Sequence, residues 1–249
     1  MPPMKIADDD IRRIERLCVR AWPAFETADI HGWLWRLSGG GSQRANSVST
    51  VDFAGGDPAT ALYAVEARYR ARNAPVWVHT YDLSAPAGIA DLLQARGYGV
   101  GESTLTMVKA VGASNPPDDV EVAATASAEW REIYLGAISE SRRSVNARIL
   151  DTVPAPCAFF SCRRAGQVIS SGMCVADGDL AIIECMATRA EARRQGGAEA
   201  VLHSLEAWAA ERGVKTLALQ AVAVNAAAIP LYTRFGFAPV ATNRFWQSD

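Results

Sequence analysis

Hydrophobic and polar positions repeat along most of the chain at the spacings of helices and strands. Apolar residues recur every three or four positions over 11–22, which predicts an amphipathic helix. Further helices are predicted over 59–73, 87–96, 127–138, 141–150, 198–212 and 226–235. Strands are predicted over 32–37, 42–51, 76–81, 104–109, 120–123, 157–163, 168–175, 180–188, 216–222 and 242–246. The pattern indicates an α/β (α+β) protein.

The order of these elements repeats. Each half of the chain ends with a helix, a strand, a helix, a glycine followed by an aromatic residue, and a strand. Gly97 and Gly236, which open the two glycine–aromatic pairs, lie 139 positions apart. Residues 112–119 are polar and contain two prolines, which is typical of a linker. We therefore expect a duplicated domain, divided into 1–115 and 116–249.

Composition and charge exclude several classes of protein. The chain has 249 residues, of which 49% are apolar and 21% charged, so a folded core is expected rather than disorder. The net charge is −2 and the chain has only three lysines, which disfavours nucleic-acid binding. No apolar stretch approaches the ~20 residues of a membrane span, and no apolar signal core follows the first methionine. We expect a cytoplasmic protein with no membrane partner.

Metal and serine-nucleophile chemistry lack their usual patterns. The three histidines and five cysteines are dispersed, and no C-x-x-C pair occurs. The serine elbow G-x-S-x-G is also absent. No metal site is expected.

One segment has the chemistry of an anion cradle. Between an apolar strand and an amphipathic helix the chain reads Arg193, Arg194, Gln195, Gly196, Gly197, Ala198. A helix start presents free N–H groups and the positive end of the helix dipole. Glycine lets the backbone approach a phosphate, and arginine adds charge-assisted donors. The segment predicts a pyrophosphate site; the alternative is a glycine-rich turn with solvated arginines.

A second motif supports the first. It comprises Asn225, Ala228, Leu231, Tyr232, Gly236 and Phe237 in the spacing N-x-x-A-x-x-L-Y-x-x-x-G-F. With Arg193, Gly196 and Ala198 of the loop, this pattern resembles the GNAT superfamily of acyl-CoA-dependent N-acyltransferases. The resemblance covers about residues 120–247. It implies two GNAT-like domains, each with a mixed, mostly antiparallel twisted sheet flanked by helices.

The resemblance also implies roles for individual residues, with acetyl-CoA as co-substrate. The strand that ends at Thr188 would splay from its neighbour, 216–222, and hold the acyl thioester in the wedge. Backbone groups of Met186, Ala187 and Thr188 would align the thioester. The loop 193–198 would hold the CoA pyrophosphate. Asn225 would contact the pantetheine arm or only cap its helix. Tyr232 would act as general acid, unless it is a packed aromatic residue.

A general base is expected nearby. Glu184 stands in an otherwise apolar strand, four residues before Thr188 and thus on the same face. A partly desolvated carboxylate at a cleft is suited to accept a proton from an amine. The alternatives are a glutamate that faces water or one paired with an arginine.

The N-terminal half lacks the CoA-binding residues. Its glycine segment, 54–59, has no arginine, and Asp57 would repel phosphate. We interpret it as a degenerate domain that covers the acceptor end of the cleft, with Trp33, Arg44 and Asn46 as acceptor-binding residues on neighbouring strands. The alternative is a hydrogen-bonded core strand. This half also resembles the N-terminal halves of some uncharacterised bacterial tandem GNAT proteins.

These patterns predict an N-acetyltransferase that acts on the primary amine of a small molecule by direct attack. A non-catalytic acyl-CoA sensor and a protein lysine or N-terminal acetyltransferase are the alternatives. A monomer or homodimer is expected.

Overall fold

The computed structural model describes residues 6–248 and contains seven helices and twelve strands within them. The helices are α1 (Asp8–Ala21), α2 (Pro58–Arg70), α3 (Ile89–Ala95), α4 (Ala128–Gly136), α5 (Glu140–Leu150), α6 (Gly197–Glu211) and α7 (Ala228–Arg234). The strands are β1 (Glu26–Ile30), β2 (Trp33–Leu37), β3 (Val48–Ser49), β4 (Val76–Tyr81), β5 (Gly99–Val100), β6 (Thr104–Ala110), β7 (Val120–Ala123), β8 (Cys157–Arg164), β9 (Gln167–Asp177), β10 (Leu180–Thr188), β11 (Thr216–Val222) and β12 (Ala238–Ser248).

All twelve strands form one continuous sheet. Its order is β1-β2-β3-β4-β12-β6-β11-β10-β9-β8-β7, with β5 paired to β12. Only the pairs β3–β4 and β10–β11 are parallel. The last strand of each half joins the other half, because β6 pairs with β11 and β12 pairs with β4. The two halves of the chain therefore share a sheet, and their strands interleave at its centre.

Helices cover both faces of this sheet. The helices α1, α4 and α5 pack on one face, around a core that includes Trp22, Trp130 and Ile182. The helices α6 and α7 pack on the other face in the C-terminal half, and α2 and α3 cover that face in the N-terminal half. Because α1 crosses from the first half onto β10, it joins the two halves on its face.

One predicted strand is wrong. In place of a strand over 42–51, the chain forms a short 3-10 helix, Arg44–Asn46, followed by the two-residue strand β3. The reason is the side chain of Asn46, whose Oδ1 accepts from the N–H groups of Ser38 and Gly40, while its Nδ2 donates to the carbonyls of Gly40 and Ser42. These bonds close a loop that a straight strand could not form. The strands β1 and β5 were not predicted.

Candidate active site

Two parallel strands separate at the centre of the C-terminal half. The strands β10 and β11 pair from Leu180 and Thr216 as far as Ile183 and Leu219. Beyond that point β11 continues to Val222 along β6, and β10 continues to Thr188 along β9. A wedge therefore opens between them, as the family resemblance implied.

A β-bulge lies at the mouth of this wedge. The register of β10 against β9 shifts between Glu184 and Ala187, and Cys185 takes a left-handed φ of 56°. Across the strand pair, a Cβ on Gly172 would come within 2.7 Å of the sulfur of Met186. A bulge re-aims the side chains next to it. Here it interrupts the regular pairing of β10 with β9 after Glu184 and turns Met186 toward α6.

The predicted anion loop has an open helix end. A short 3-10 helix, Ala190–Ala192, leads into the loop, and Gly196 caps α6 with a φ of 80° and no side-chain hydrogen bond to the helix. The first N–H groups of α6 thus lack a side-chain cap. Gly197 seats the helix close to β9, since a Cβ there would lie 2.5 Å from Ser170 Oγ.

The charges around this helix end are free to bind an anion. Arg193 and Arg194 are exposed, and neither joins a salt bridge within residues 6–248. Arg194 takes a left-handed φ of 61°, and Arg164 donates a hydrogen bond to the carbonyl of Gln195, which ties the loop to β8. The open N-terminus, the two unpaired guanidinium groups and the close-packed glycines fit the diphosphate of acyl-CoA.

Tyr232 lies in the same region, on α7. Its side chain is buried and packs edge-on against Phe237, with ring centroids 6.0 Å apart. Burial, with a contribution from the negative charge of Glu184, raises the pKa of Tyr232 to about 12. Tyr232 therefore keeps its proton at neutral pH and is close enough to Glu184 to respond to its charge. That is the protonation state a general acid needs.

Glu184 is paired with an arginine from the other half of the chain. Its Oε1 lies 2.5 Å from Arg44 Nη1 and its Oε2 lies 2.8 Å from Arg44 Nη2. The Glu184 side chain is 7% exposed and that of Arg44 is 27% exposed. Burial acts to lower the pKa of Arg44, but the charge and hydrogen bonds of Glu184 raise it overall. Glu184, predicted as the general base, and Arg44, predicted to bind the acceptor, thus form one bidentate pair.

Asn225 caps its helix. Its Oδ1 accepts hydrogen bonds from the N–H groups of Ala227 (3.2 Å) and Ala228 (3.0 Å). The cap that the sequence offered as one alternative is therefore formed, and a contact with pantetheine stays a prediction. Pro230 is tolerated because it falls in the first turn of α7, where its missing N–H has no partner to lose.

The polar groups of the other predicted acceptor residues bind backbone groups of the chain. Trp33 is fully buried, and its Nε1 donates to the carbonyl of Ala85. Asn46 is buried too, and backbone groups of its own loop occupy its amide. Arg44 and Asn46 lie on a 3-10 helix, so they do not share a strand face. The structure thus assigns Trp33 to the core and Asn46 to a loop, which corrects the expected arrangement.

A cavity of about 660 Å³ opens beside Arg44. It is lined by the 3-10 helix, the glycine loop 39–41, Trp77 and the start of α5, including Arg142. Arg142 Nε and Asn146 Nδ2 both donate to the carbonyl of Gly41, which holds that loop against α5. Arg142 and Asn146 were not predicted from the sequence. The sequence feature that could have pointed to them is the polar composition of α5, which contains four arginines or asparagines among eleven residues.

Comparison with known proteins settles the family. A family model described as "Probable histone acetyltransferase Rv0428c C-terminal" matches residues 8–246. The chain belongs to this family. It is also 28% identical to the uncharacterized N-acetyltransferase YobR of Bacillus subtilis (strain 168), over 95% of this chain and 98% of that protein.

Solved structures show the same fold as this family member. A GCN5-related N-acetyltransferase from Kribbella flavida superposes with a TM-score of 0.72 at 20% identity, over 98% of this chain and 96% of that one. A tandem GNAT protein from the clavulanic acid biosynthesis pathway superposes with a TM-score of 0.63 at 14% identity, over 98% of this chain and 96% of that one. The protein is thus a GNAT acyl-CoA-dependent N-acetyltransferase with two GNAT-like domains.

The described residues contain neither a cluster of metal-binding side chains nor a helix that could span a membrane. Within residues 6–248, no three His, Cys, Asp or Glu side chains group closely enough to hold a metal ion. No helix in the same range is both long and apolar enough to span a membrane.

Proposed function

We propose that this family member transfers the acetyl group of acetyl-CoA to the primary amine of a small molecule by direct attack. The wedge between β10 and β11 would receive the thioester. The open end of α6, with Arg193 and Arg194, would bind the diphosphate. The observation that carries the proposal is the combination of this uncapped helix end and the wedge in one half of the chain.

The chemistry follows from the groups at the wedge. The neutral amine forms a bond to the thioester carbonyl carbon, and the carbon–sulfur bond then breaks. Tyr232, which stays protonated at neutral pH, gives its proton to the departing thiolate. Glu184 accepts the proton that the amine loses, through the lone pairs that Arg44 leaves free. That proton returns to Tyr232, so the charges balance over one turnover.

The cavity beside Arg44 supports a small acceptor. Its walls come from both halves of the chain. The loop at Gly41 is pinned to α5, and a Cβ there would lie 2.8 Å from the side chain of Val145. A polypeptide acceptor needs a groove that is open at both ends, and this loop forms one wall of the cavity. Arg142, which lines the cavity, favours an acceptor that also carries an anionic group.

The test is acetyl-CoA turnover, followed by release of the free thiol, with a panel of amines. The panel contains amino acids, amino sugars, polyamines, aminoglycosides and histone-tail peptides. Saturable turnover with one small-amine class, and little with the peptides, is expected. Turnover with the peptides alone would identify a protein acetyltransferase, in line with the description of the family. Acetyl-CoA binding without turnover of any amine would indicate a sensor.

A further inference from the structure

A second cavity lies away from the wedge, on the α1 face of the N-terminal half. Its volume is about 390 Å³. It is lined by α1, by β2 and β3 and the residues that follow them, and by Thr152 and Pro154 of the C-terminal half. Most of its wall is apolar, with contributions from Val19, Leu34 and Val51. None of the residues assigned to the wedge or to the acyl-CoA loop lines it.

One wall carries a buried charge without a carboxylate partner. Arg36 is 2% exposed and forms no salt bridge within residues 6–248. Burial lowers the pKa of Arg36 to about 10, so it remains a cation at neutral pH. A buried guanidinium that faces no negative charge is costly, since water has been removed without a compensating ion.

Arg36 points toward this cavity. Leu34, two residues earlier on β2, lines the same cavity, whereas Trp33 and Trp35 pack on the opposite face of the sheet with α2. The Nε and Nη2 of Arg36 donate to Ser47, at 3.2 and 3.4 Å. Its Nη1 makes no hydrogen bond within the described chain and is not fully enclosed by protein. That donor therefore has access to the cavity.

The other charged residues of the lining leave this donor available. The carboxylate of Asp52 accepts two hydrogen bonds from Arg16, at 2.9 and 2.5 Å. Arg20 pairs with Asp177, whose Oδ2 lies 3.2 Å from Arg20 Nη1. Both pairs are about half exposed. The interior of the cavity therefore combines apolar walls with a single unsatisfied cation.

We propose that this cavity is a binding site for a small carboxylate with an apolar body, distinct from the acyl-CoA wedge. The carboxylate would bind Nη1 of Arg36, and the body would contact Val19, Leu34 and Val51. Ligand sites of this kind are mostly apolar cavities with few well-placed polar groups. Arg44 lies close enough to lower the pKa of Arg36, so an anion bound there also changes the charge beside the Arg44–Glu184 pair.

Calorimetry with the full chain tests this site without relying on activity. Hexanoate is the probe, hexan-1-ol is the matched uncharged compound and acetate lacks the apolar body. Hexanoate is expected to bind saturably, at least about tenfold tighter than either control, because a hydrogen bond between two charged groups is stronger than one between neutral groups. Saturating CoA should leave hexanoate binding unchanged. Equal binding of hexan-1-ol, competition by CoA, or no saturation up to about 10 mM would overturn the proposal.

Two variants locate the site. Arg36→Met should abolish hexanoate binding, while Arg68→Met, which removes a guanidinium stacked on Trp35 from the opposite face, should preserve it. If Arg36→Met fails to fold, Val19→Trp fills the cavity from α1 and leaves Arg36 in place, and it should also abolish binding. Hexanoate affinity that survives in a folded Arg36→Met or Val19→Trp protein would contradict the proposal.

Discussion

The two halves of the chain have corresponding helices beside corresponding strands, but the N-termini of these helices are capped differently. Helix α2 begins 139 positions before α6. In α2 the carboxylate of Asp57 accepts hydrogen bonds from the N–H groups of Ala59 and Thr60, so the chain fills its own anion site. In α6 the same position is Gly196, which leaves the first N–H groups open. This one cap position distinguishes the filled N-terminus of α2 from the open N-terminus of α6.

The strands beside these helices differ as well. In the C-terminal half, β10 and β11 part after Ile183 and open the wedge. In the N-terminal half the corresponding parallel pair, β3 and β4, stays closed, because Thr50 donates to the carbonyl of His79 through both its N–H and its hydroxyl. The N-terminal half therefore has neither an open N-terminus at α2 nor a wedge beside it. The following experiments test this difference, from the largest expected effect to the smallest.

Tyr232→Phe should reduce kcat by about 10²–10⁴-fold with little change in the KM for acetyl-CoA. A general acid acts only as the transition state forms, so its loss affects kcat more than substrate binding. Steady-state kinetics measure both parameters. Tyr81→Phe is the matched control in the N-terminal half, since the buried Tyr81 hydroxyl has no hydrogen-bond partner in the described chain. An unchanged kcat in folded Tyr232→Phe protein would show that Tyr232 only packs.

Glu184→Gln should destabilise the protein by roughly 2–4 kcal/mol, because it leaves the largely buried Arg44 without its counter-ion. Urea unfolding measures the change. The surface pair of Arg16 and Asp52 is the control, and Asp52→Asn should cost at most about 1 kcal/mol. Equal losses for the two variants would mean that the pair between the halves has no special role. The double variant Glu184→Leu, Arg44→Met should recover much of the lost stability.

Arg193→Glu should weaken CoA binding by about 10- to 100-fold, through loss of charge-assisted contacts and added repulsion. Arg212→Glu provides the control, since Arg212 stacks on Trp208 at the far end of α6. Equilibrium binding of CoA to both folded variants gives the comparison. Equal affinities would exclude the loop 193–198 as the diphosphate site.

Asp57→Ala should lower the melting temperature slightly and leave CoA affinity unchanged. Hydrogen bonds from Thr60 and Ala59 hold the pKa of Asp57 below its ordinary value. The folded protein therefore gains stability from the ionised carboxylate at neutral pH and loses it as the pH falls below 3.8, the ordinary value. The difference in melting temperature between wild type and variant should shrink in that range. A constant difference at every pH would point to a non-electrostatic cause.

The sequence was most informative where local chemistry decides the structure. The loop 193–198 has to be glycine-rich because Gly196 takes a positive φ and Gly197 packs against Ser170, and both constraints are visible as residue types. The helices and most of the strands were predicted from the spacing of their hydrophobic positions. The splaying of β10 from β11 was predicted only through the family resemblance.

Features that depend on distant parts of the chain were not predictable in this way. The pairing of Arg44 with Glu184 joins residues 140 positions apart. The sequence offered an arginine partner for Glu184 without naming it. The turn at Arg44–Asn46 looked like a strand because its residues are compatible with one, and only the bonds of Asn46 to its own loop decide otherwise. The interleaving of β6 and β12 likewise has no local signal.

The number of acyl-CoA sites per chain tests the central claim most directly. Titration calorimetry of the full chain with CoA should give one site, because α6 alone among the helices of residues 6–248 has an open N-terminus beside a wedge and unpaired arginines. Arg193→Glu should weaken that single site, and Asp57→Ala should not add another. Two equivalent sites per chain, or one site unaffected by Arg193→Glu, would contradict the account.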